Sequence, residues 1–139
     1  MAAGRSATIP AEKPQSVVMV VEPDVVVRLA IADYLRECGY TVIEAGSAEE
    51  AVTVLESGRS IDVVFTEVAL PQMSGFELAR LVRERYPGMG VILTSSPASA
   101  AEKASDLCEE GPLEKPYDPD EVVRRIRQMK EQGLPGGRR

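Results

Sequence analysis

The chain has 139 residues, a formal net charge of −6 and no histidine, and 44% of its residues are hydrophobic. This length suits one domain with a core large enough to fold without disulfides or a structural metal. The missing histidine excludes Ser-His and Cys-His nucleophile pairs and His-ligated zinc, and the negative charge argues against nonspecific nucleic-acid binding.

The N-terminal stretch mixes Pro, Ala, Ser and charged residues and lacks the apolar core of a secretory signal. We interpret 1–15 as a disordered leader, 16–131 as the domain and 132–139 as a flexible tail. No apolar run reaches membrane-spanning length, and Cys38 and Cys108 lie far apart in sequence. These features predict a cytoplasmic protein with free, structural thiols and no membrane contact.

Short segments rich in Val and Ile alternate along the chain with stretches of helical spacing. In order, the segments are VVMVV (17–21), TVIEA (41–45), DVVFTEV (62–68), VILTS (91–95) and a weaker PLE (112–114). Strands that alternate with helices predict βα units and a central parallel sheet covered on both faces.

Capping residues and apolar spacing place the first two helices. An apolar stripe from Val27 to Cys38 indicates the first helix, and Gly39 ends it. Ser47 and Glu50 predict a capping box at the start of the second helix.

The later helices have weaker or mixed signals. Gly75 opens a third helix, whose inner face is predicted to hold Phe76, Ala79 and Val82. A fourth, over about 98–110, is Ala-rich and expected to pack less tightly. The last helix begins with Asp118, Pro119 and Glu121, turns Val122, Ile126 and Met129 inward, and exposes a basic run of Arg124, Arg125 and Arg127.

Polar residues follow the predicted strands at the edge where ligands bind in an open parallel sheet. Glu22 and Asp24 follow the first strand, Glu67 ends the third, Thr94 the fourth and Lys115 the fifth. Acids, a hydroxyl and a lysine in one pocket suit a hard cation and a phosphoryl group. The alternative is structural: the acids after the first strand cap a helix, and the hydroxyl satisfies backbone groups.

The segments VVMVVEPD, DVVFTEVALPQMSGFEL, VILTS and LEKPYDPDEV resemble the receiver domain of two-component response regulators over about 16–131. The resemblance implies a flavodoxin-like, doubly wound (βα)5 α/β fold with a five-stranded parallel sheet in the order 2-1-3-4-5. In that family a histidine kinase phosphorylates an aspartate after the third strand, acids after the first strand hold magnesium, and Thr or Ser and Lys sense the new charge. Glu22, Thr94 and Lys115 match three of these positions, and Pro71 and Gly75 match the following loop.

Three departures from the family pattern are expected to change the chemistry. Glu67 occupies the aspartate position, and its extra methylene moves the carboxylate outward by roughly 1.5 Å. Pro23 replaces an acid that usually contacts magnesium, and Asp24 substitutes for it only if the loop shifts. Pro112 stands where an aromatic switch residue is common.

These departures predict a stand-alone, atypical receiver that is not an enzyme and works through protein–protein contacts. No cofactor is expected, and Mg²⁺ is held weakly, if at all, by Glu22 and Glu67. An ion pair between Glu67 and Lys115 is expected to fix one state. Expected partners are signalling proteins, such as a histidine kinase or a downstream regulator docking on the 98–131 face, with no direct nucleic-acid contact.

Two alternatives stay open. The first is a Mg²⁺-dependent phosphoacceptor that uses Glu67 or a nearby Ser or Thr. The second is a small flavodoxin-like enzyme or cofactor binder. Two features of the sequence argue against it: it has no Gly-rich phosphate loop after its first strand, and it has few aromatic residues.

Overall fold

The computed structural model describes residues 16–111 and 120–132, which form four strands and five helices. In chain order these are β1 Val17–Val21, α1 Val25–Glu37, β2 Thr41–Ala45, α2 Ala48–Glu56, β3 Val63–Glu67, α3 Gly75–Arg85, β4 Gly90–Thr94, α4 Pro97–Glu109 and α5 Asp120–Gln132. The strands are parallel and lie in the order β2-β1-β3-β4. This is the expected flavodoxin-like arrangement, and the predicted fifth strand lies outside the described residues.

The central strand β1 is buried on both faces, which explains its unbroken run of apolar residues. Val18 and Val20 pack on the side of α1, α4 and α5, whereas Met19 and Val21 pack on the side of α2 and α3. None of these four side chains is more than 1% exposed. The sheet is therefore covered by helices on both faces, as the sequence pattern predicts.

The helix starts follow the capping signals with two differences. Ser47 accepts a hydrogen bond from the Glu50 amide at 3.1 Å, but the Glu50 carboxylate accepts from Gly46 N at 2.6 Å, so the predicted box is half formed. A complete capping box joins Ser74 and Glu77 at the start of α3. That Ser-x-x-Glu signature is present in the sequence and predicts the start of α3 better than Gly75 alone.

The prediction that Phe76 faces the core is wrong, because its side chain is 60% exposed. The inner face of α3 is formed instead by Gly75, Leu78, Ala79 and Val82. This set follows the i, i+3, i+4, i+7 spacing of one helix face, and Phe76 lies one position off it.

Helix α4 lies on the same face of the sheet as α1, and its inner side is made of small residues. These are Ala100, Ala101, Ala104, Ser105 and Cys108. The contact brings the last turn of α4 beside the C-terminal end of α1. The helix is thus packed, but without a large buried side chain.

Cys38 and Cys108 form a disulfide, so the prediction of free thiols is wrong. Their Cα atoms are 5.5 Å apart, within the range that a disulfide spans. The two residues are 70 positions apart in sequence and meet only because α4 packs against α1. The cysteines therefore no longer argue for a cytoplasmic location.

Helix α5 runs antiparallel to α1. Near its start, Arg125 donates two hydrogen bonds to Glu37 at the end of α1, at 2.7 and 3.0 Å. Near its end, Lys130 lies 3.4 Å from the carboxylate of Asp24 at the beginning of α1. Val122 and Ile126 are buried as predicted, and the predicted cap residues Asp118 and Pro119 lie outside the described residues.

The basic run of α5 is partly neutralised by neighbouring acids. Glu121 accepts hydrogen bonds from Arg124 at 2.7 Å and from Arg125 at 3.0 Å. Arg124 and Arg127 are exposed, as a solvated helix face predicts, whereas the Arg125 side chain is only 25% exposed and lies over the Tyr34 ring. Within residues 16–111 and 120–132, no helix combines the length and the apolar character needed to cross a membrane.

Candidate functional site

The carboxyl ends of the two middle strands place two acids side by side. Strands β1 and β3 are neighbours, with Val21 opposite Thr66, so Glu22 and Glu67 follow at the same edge of the sheet. Glu67 is in turn the register partner of Thr94 at the end of β4. The structure thus brings together three of the predicted site residues. Lys115, the predicted cation of this site, lies outside the described residues.

Glu22 is a partly buried carboxyl group next to other negative charges. Burial raises the pKa of Glu22, and the charges of Glu67 and Asp24 raise it further. A hydrogen bond from Asp24 N to Glu22 Oε2, 3.0 Å long, and the charge of Arg28 oppose that rise. The cleft therefore favours the neutral form of this acid more than water does.

Arg28 is a part of the site that sequence reasoning missed. Its Nη1 donates to the backbone carbonyl of Glu22 at 2.8 Å, and its Nε donates to Glu44 on β2 at 3.2 Å. The guanidinium therefore ties the ends of β1 and β2 together and fixes the backbone that carries Glu22. A single arginine on a helix with an apolar inner face gives no sequence signal for this role.

Asp24 serves as the N-cap of α1. Its Oδ1 accepts hydrogen bonds from Val26 N at 2.9 Å and Val27 N at 3.2 Å. Its other oxygen faces Lys130. Of the two interpretations of Asp24, the geometry matches the helix-capping one, and its oxygens are already engaged.

The backbone of Glu67 is held by a close approach from α3. A Cβ atom added to Gly75 would lie 2.8 Å from Val68 Cα and would collide with the carbonyl of Glu67. Gly75 N also donates to Val68 O at 2.8 Å. Only glycine fits here, which gives a physical reason for the glycine of the matched loop.

The Glu67 side chain folds back on its own loop. Its Oε2 accepts a hydrogen bond from Ala69 N at 3.2 Å. In the same loop Gln72 has a φ of 69°, a left-handed conformation that is uncommon for residues other than glycine. The loop thus holds the Glu67 carboxylate by a backbone hydrogen bond and contains one residue, Gln72, in a less favourable backbone conformation.

Thr94 is 2% exposed and its hydroxyl lies 3.5 Å from the carbonyl of Thr66. The hydroxyl thus faces the backbone of the neighbouring strand, which agrees with the interpretation that Thr94 satisfies backbone groups. Ser95 N lies 3.5 Å from the hydroxyl of Ser99 in the first turn of α4. Both positions take part in backbone contacts at the end of β4.

The donor set fits a divalent cation poorly. Magnesium prefers several oxygen ligands in near-octahedral geometry. Pro23 offers no side-chain oxygen and Asp24 is committed to capping, which leaves Glu22 and Glu67. In the described part of the chain, no group of three Asp, Glu, Cys or His side chains is placed to hold a metal ion.

The geometry agrees with a comparison to protein families. The model for the response regulator receiver domain matches residues 18–127. The chain belongs to the response regulator receiver family. Receiver domains of this family act in two-component signalling, and they are in general signalling modules rather than enzymes.

Similar receivers occur in proteins of different length. The two-component response regulator ORR3 of Oryza sativa subsp. indica is 33% identical over 122 residues, which cover 84% of this chain and 91% of that protein. The sensor kinase CckA of Brucella abortus is 33% identical over 118 residues, covering 82% of this chain. The receiver spans only 12% of CckA and 48% of the probable transcriptional regulatory protein TcrX of Mycobacterium tuberculosis.

Solved receiver structures share the fold. The signal receiver domain of an HD domain-containing protein from Pseudomonas fluorescens has a TM-score of 0.58 at 25% identity, covering 86% of this chain and 97% of that one. The response regulator TrrA from Thermotoga maritima, in complex with Mg²⁺-BeF, has a TM-score of 0.57 at 25% identity, covering 83% and 99%.

Proposed function

We propose that this receiver signals without conventional phosphorylation, through a protein-binding surface that does not wait for a phosphoryl group. The observation that carries the proposal is the small donor set of the cleft. Two carboxylates, Glu22 and Glu67, remain for a cation once Asp24 is committed to capping α1. A cation held by two carboxylates binds weakly, and without that cation little positive charge is available to neutralise an incoming phosphoryl group.

The length of Glu67 supports the same proposal. In-line phosphoryl transfer depends on position, and a misplacement of about 1 Å can cost on the order of a hundredfold in rate. The glutamate carboxylate extends farther than an aspartate from the same backbone, and it accepts a hydrogen bond from Ala69 N. Gly75 packs against the backbone of Glu67 and leaves it little room to retract.

The state of such a receiver would be set by charges already present in the chain. We propose that Glu67 forms an ion pair with Lys115, which places a negative charge partway to where a phosphoryl oxygen would sit. Thr94 is consistent with this state because its hydroxyl turns toward Thr66 O. A partner would then recognise one fixed surface, or the rupture of the pair.

The partners proposed are signalling proteins, such as a histidine kinase or a downstream regulator, on the 98–131 face. Ala100, Ala101 and Ala104 are buried and cannot be contacted directly, so the proposed surface consists of exposed side chains of α4 and α5. These include Glu102, Lys103, Asp106, Arg124 and Arg127. Mixed charge on this surface argues for a protein partner rather than nucleic acid. A cytoplasmic location is part of the proposal.

Treatment with acetyl phosphate and Mg²⁺, followed by intact mass measurement, tests the proposal. We expect no phosphoryl adduct on the parent protein. The double variant Glu67→Asp with Pro23→Asp is expected to gain a labile adduct, because it restores both an acceptor of the shorter length and an acid for the cation. Glu84→Asp, the same substitution at an exposed position of α3, is the matched control and is expected to behave like the parent.

The same measurement also tests the main alternative, a Mg²⁺-dependent phosphoacceptor. The structure of TrrA with Mg²⁺-BeF favours that alternative by analogy. A Mg²⁺-dependent adduct on the parent protein, mapped to Glu67 or a neighbouring Ser or Thr, would overturn our proposal. The family assignment favours both signalling functions over the enzyme or cofactor binder.

A further inference from the structure

The strongest unassigned feature is the cysteine pair that joins α1 to α4. Cys38 is the C-cap of α1, and Cys108 lies in the last turn of α4. Both side chains are 0% exposed. The pair lies at the amino-end edge of the sheet, away from Glu22 and Glu67, and no step of the proposed function uses it.

We propose that the Cys38–Cys108 disulfide is a reversible oxidative modification that clamps α4 onto α1. In the reducing direction, a thiolate of an external dithiol attacks one sulfur and forms a mixed disulfide. Its second thiol then displaces the remaining cysteine, leaving two cysteine thiols and an oxidised carrier. Two electrons and two protons pass to the receiver, and an oxidised dithiol carrier reverses the exchange.

The packing of α4 explains why the clamp matters for this helix above the others. The fully buried side chains of α3 include Leu78 and Val82, whereas those of α4 are alanines, a serine and a cysteine, with Leu107 partly buried against the same core. Small side chains remove little apolar surface from water, so they hold a helix weakly. The covalent bond therefore reinforces a helix whose fully buried side chains are all small.

The contacts around Cys108 concentrate at one end of α4. Tyr40 donates a hydrogen bond from its hydroxyl to the carbonyl of Leu107 at 2.6 Å. A Cβ atom on Gly111 would lie 2.9 Å from the Tyr40 ring, so the chain after the helix also lies against this tyrosine. Release of the disulfide would loosen the C-terminal turn of α4 and, through it, the 98–131 face.

Burial of both sulfurs makes the exchange depend on opening of α4. An external thiol cannot reach a wholly buried disulfide in the closed structure, so the reduction rate reports how often the last turn opens. Glycine at an exposed position inside a helix favours opening of that helix. A substitution on α4 should therefore accelerate reduction, and the same substitution on another helix should not.

The first experiment counts thiols and measures amide hydrogen exchange in the full chain. After air oxidation, we expect no alkylation of the folded monomer, and two alkyl groups after treatment with dithiothreitol. Exchange in α4 is expected to become faster by on the order of tenfold or more after reduction, and by a larger factor than exchange in α2 and α3. In the Cys38→Ala with Cys108→Ala variant, dithiothreitol should have no effect.

The second experiment measures the reduction rate of two matched variants. Lys103→Gly, exposed on α4, is expected to accelerate reduction about fivefold. Arg80→Gly, exposed on α3, should leave the rate unchanged. Free thiols in the oxidised monomer, or exchange in α4 that ignores reduction, would overturn the proposal. These readouts do not depend on phosphorylation, so they stand or fall separately from the proposed function.

Discussion

At the scale of single residues, the site is a set of acids whose partners come from the protein itself. Asp24 caps α1 and faces Lys130, and Arg28 holds the backbone of Glu22. Glu22 keeps the environment least suited to a charge, since burial and the nearby acids raise its pKa. A carboxylate in this position costs stability when it is ionised.

Substitution of Glu22 by glutamine tests this cost. Because the folded-state pKa lies above the unfolded value of 4.5, the parent gains stability as pH falls through the folded pKa toward that value. At pH 7 we expect Glu22→Gln to be more stable than the parent, and this advantage to disappear as the parent becomes protonated. Urea unfolding from pH 7 to pH 4 measures the difference.

The matched control is Glu49→Gln, which removes a charge from an exposed position in α2. It should show no such pH-dependent gain. Equal behaviour of the two variants would remove the electrostatic account of Glu22.

The role of Asp24 shows the limit of residue-level prediction. The sequence offered two interpretations, a ligand and a helix cap, because an acid after a strand and before a helix is suited to both. The hydrogen bonds to Val26 N and Val27 N are those of a cap. Only three-dimensional geometry distinguishes them, since the deciding quantity is the direction of the carboxylate.

At the scale of elements, the strands were predictable and the helix faces less so. Runs of Val and Ile bounded by turn residues located the four strands to within a residue, because strands buried on both faces leave an unbroken apolar signal. The inner face of α3 was wrong at Phe76, where the first turn adds an apolar residue off the buried stripe. Spacing alone is a weak guide at a helix end.

The contact between α3 and the end of β3 gives a prediction at this scale. Gly75→Ala would press a methyl group against the backbone of Glu67 and Val68, so α3 or the strand end must move. We expect the free energy of unfolding to fall by about 2 kcal/mol or more, measured by urea denaturation.

Gly90→Ala is the control for that substitution. Its Cβ would lie 3.5 Å from Val63 Cγ2, an ordinary contact, and the change should be within about 0.5 kcal/mol of neutral. A small effect at both positions would mean that the approach of α3 is not tight.

At the scale of the whole molecule, α4 covers a different side of the sheet from the one that a general topological rule favours. If the predicted fifth strand lies beyond β4, the right-handed rule for strand–helix–strand crossovers favours the face that holds α2 and α3. The structure places α4 beside α1 instead, and this placement creates the contact between Cys38 and Cys108. Cysteine spacing alone carried no trace of that pairing.

The disulfide should contribute substantially to global stability. Its cysteines are 70 residues apart, and closing a loop of that length in the unfolded chain stabilises the fold by about 4 kcal/mol in the chain-entropy model. Urea unfolding of the oxidised and the reduced protein is expected to differ by roughly that amount. The variant without either cysteine should resemble the reduced parent, and equal midpoints for oxidised and reduced protein would contradict the estimate.

The bond between Cys38 and Cys108 also closes a covalent ring that contains β2, β3 and β4 but not β1. Yet β1 lies between β2 and β3 in the sheet, so the middle of the ring is filled by a strand that belongs to the open N-terminal arm. In the described sheet β2 and β3 do not pair with each other, and each pairs instead with β1. If the sulfurs pair before β1 has docked, β1 must insert between two strands of a ring that is already closed. The topology therefore makes the order of oxidation and strand insertion matter for folding.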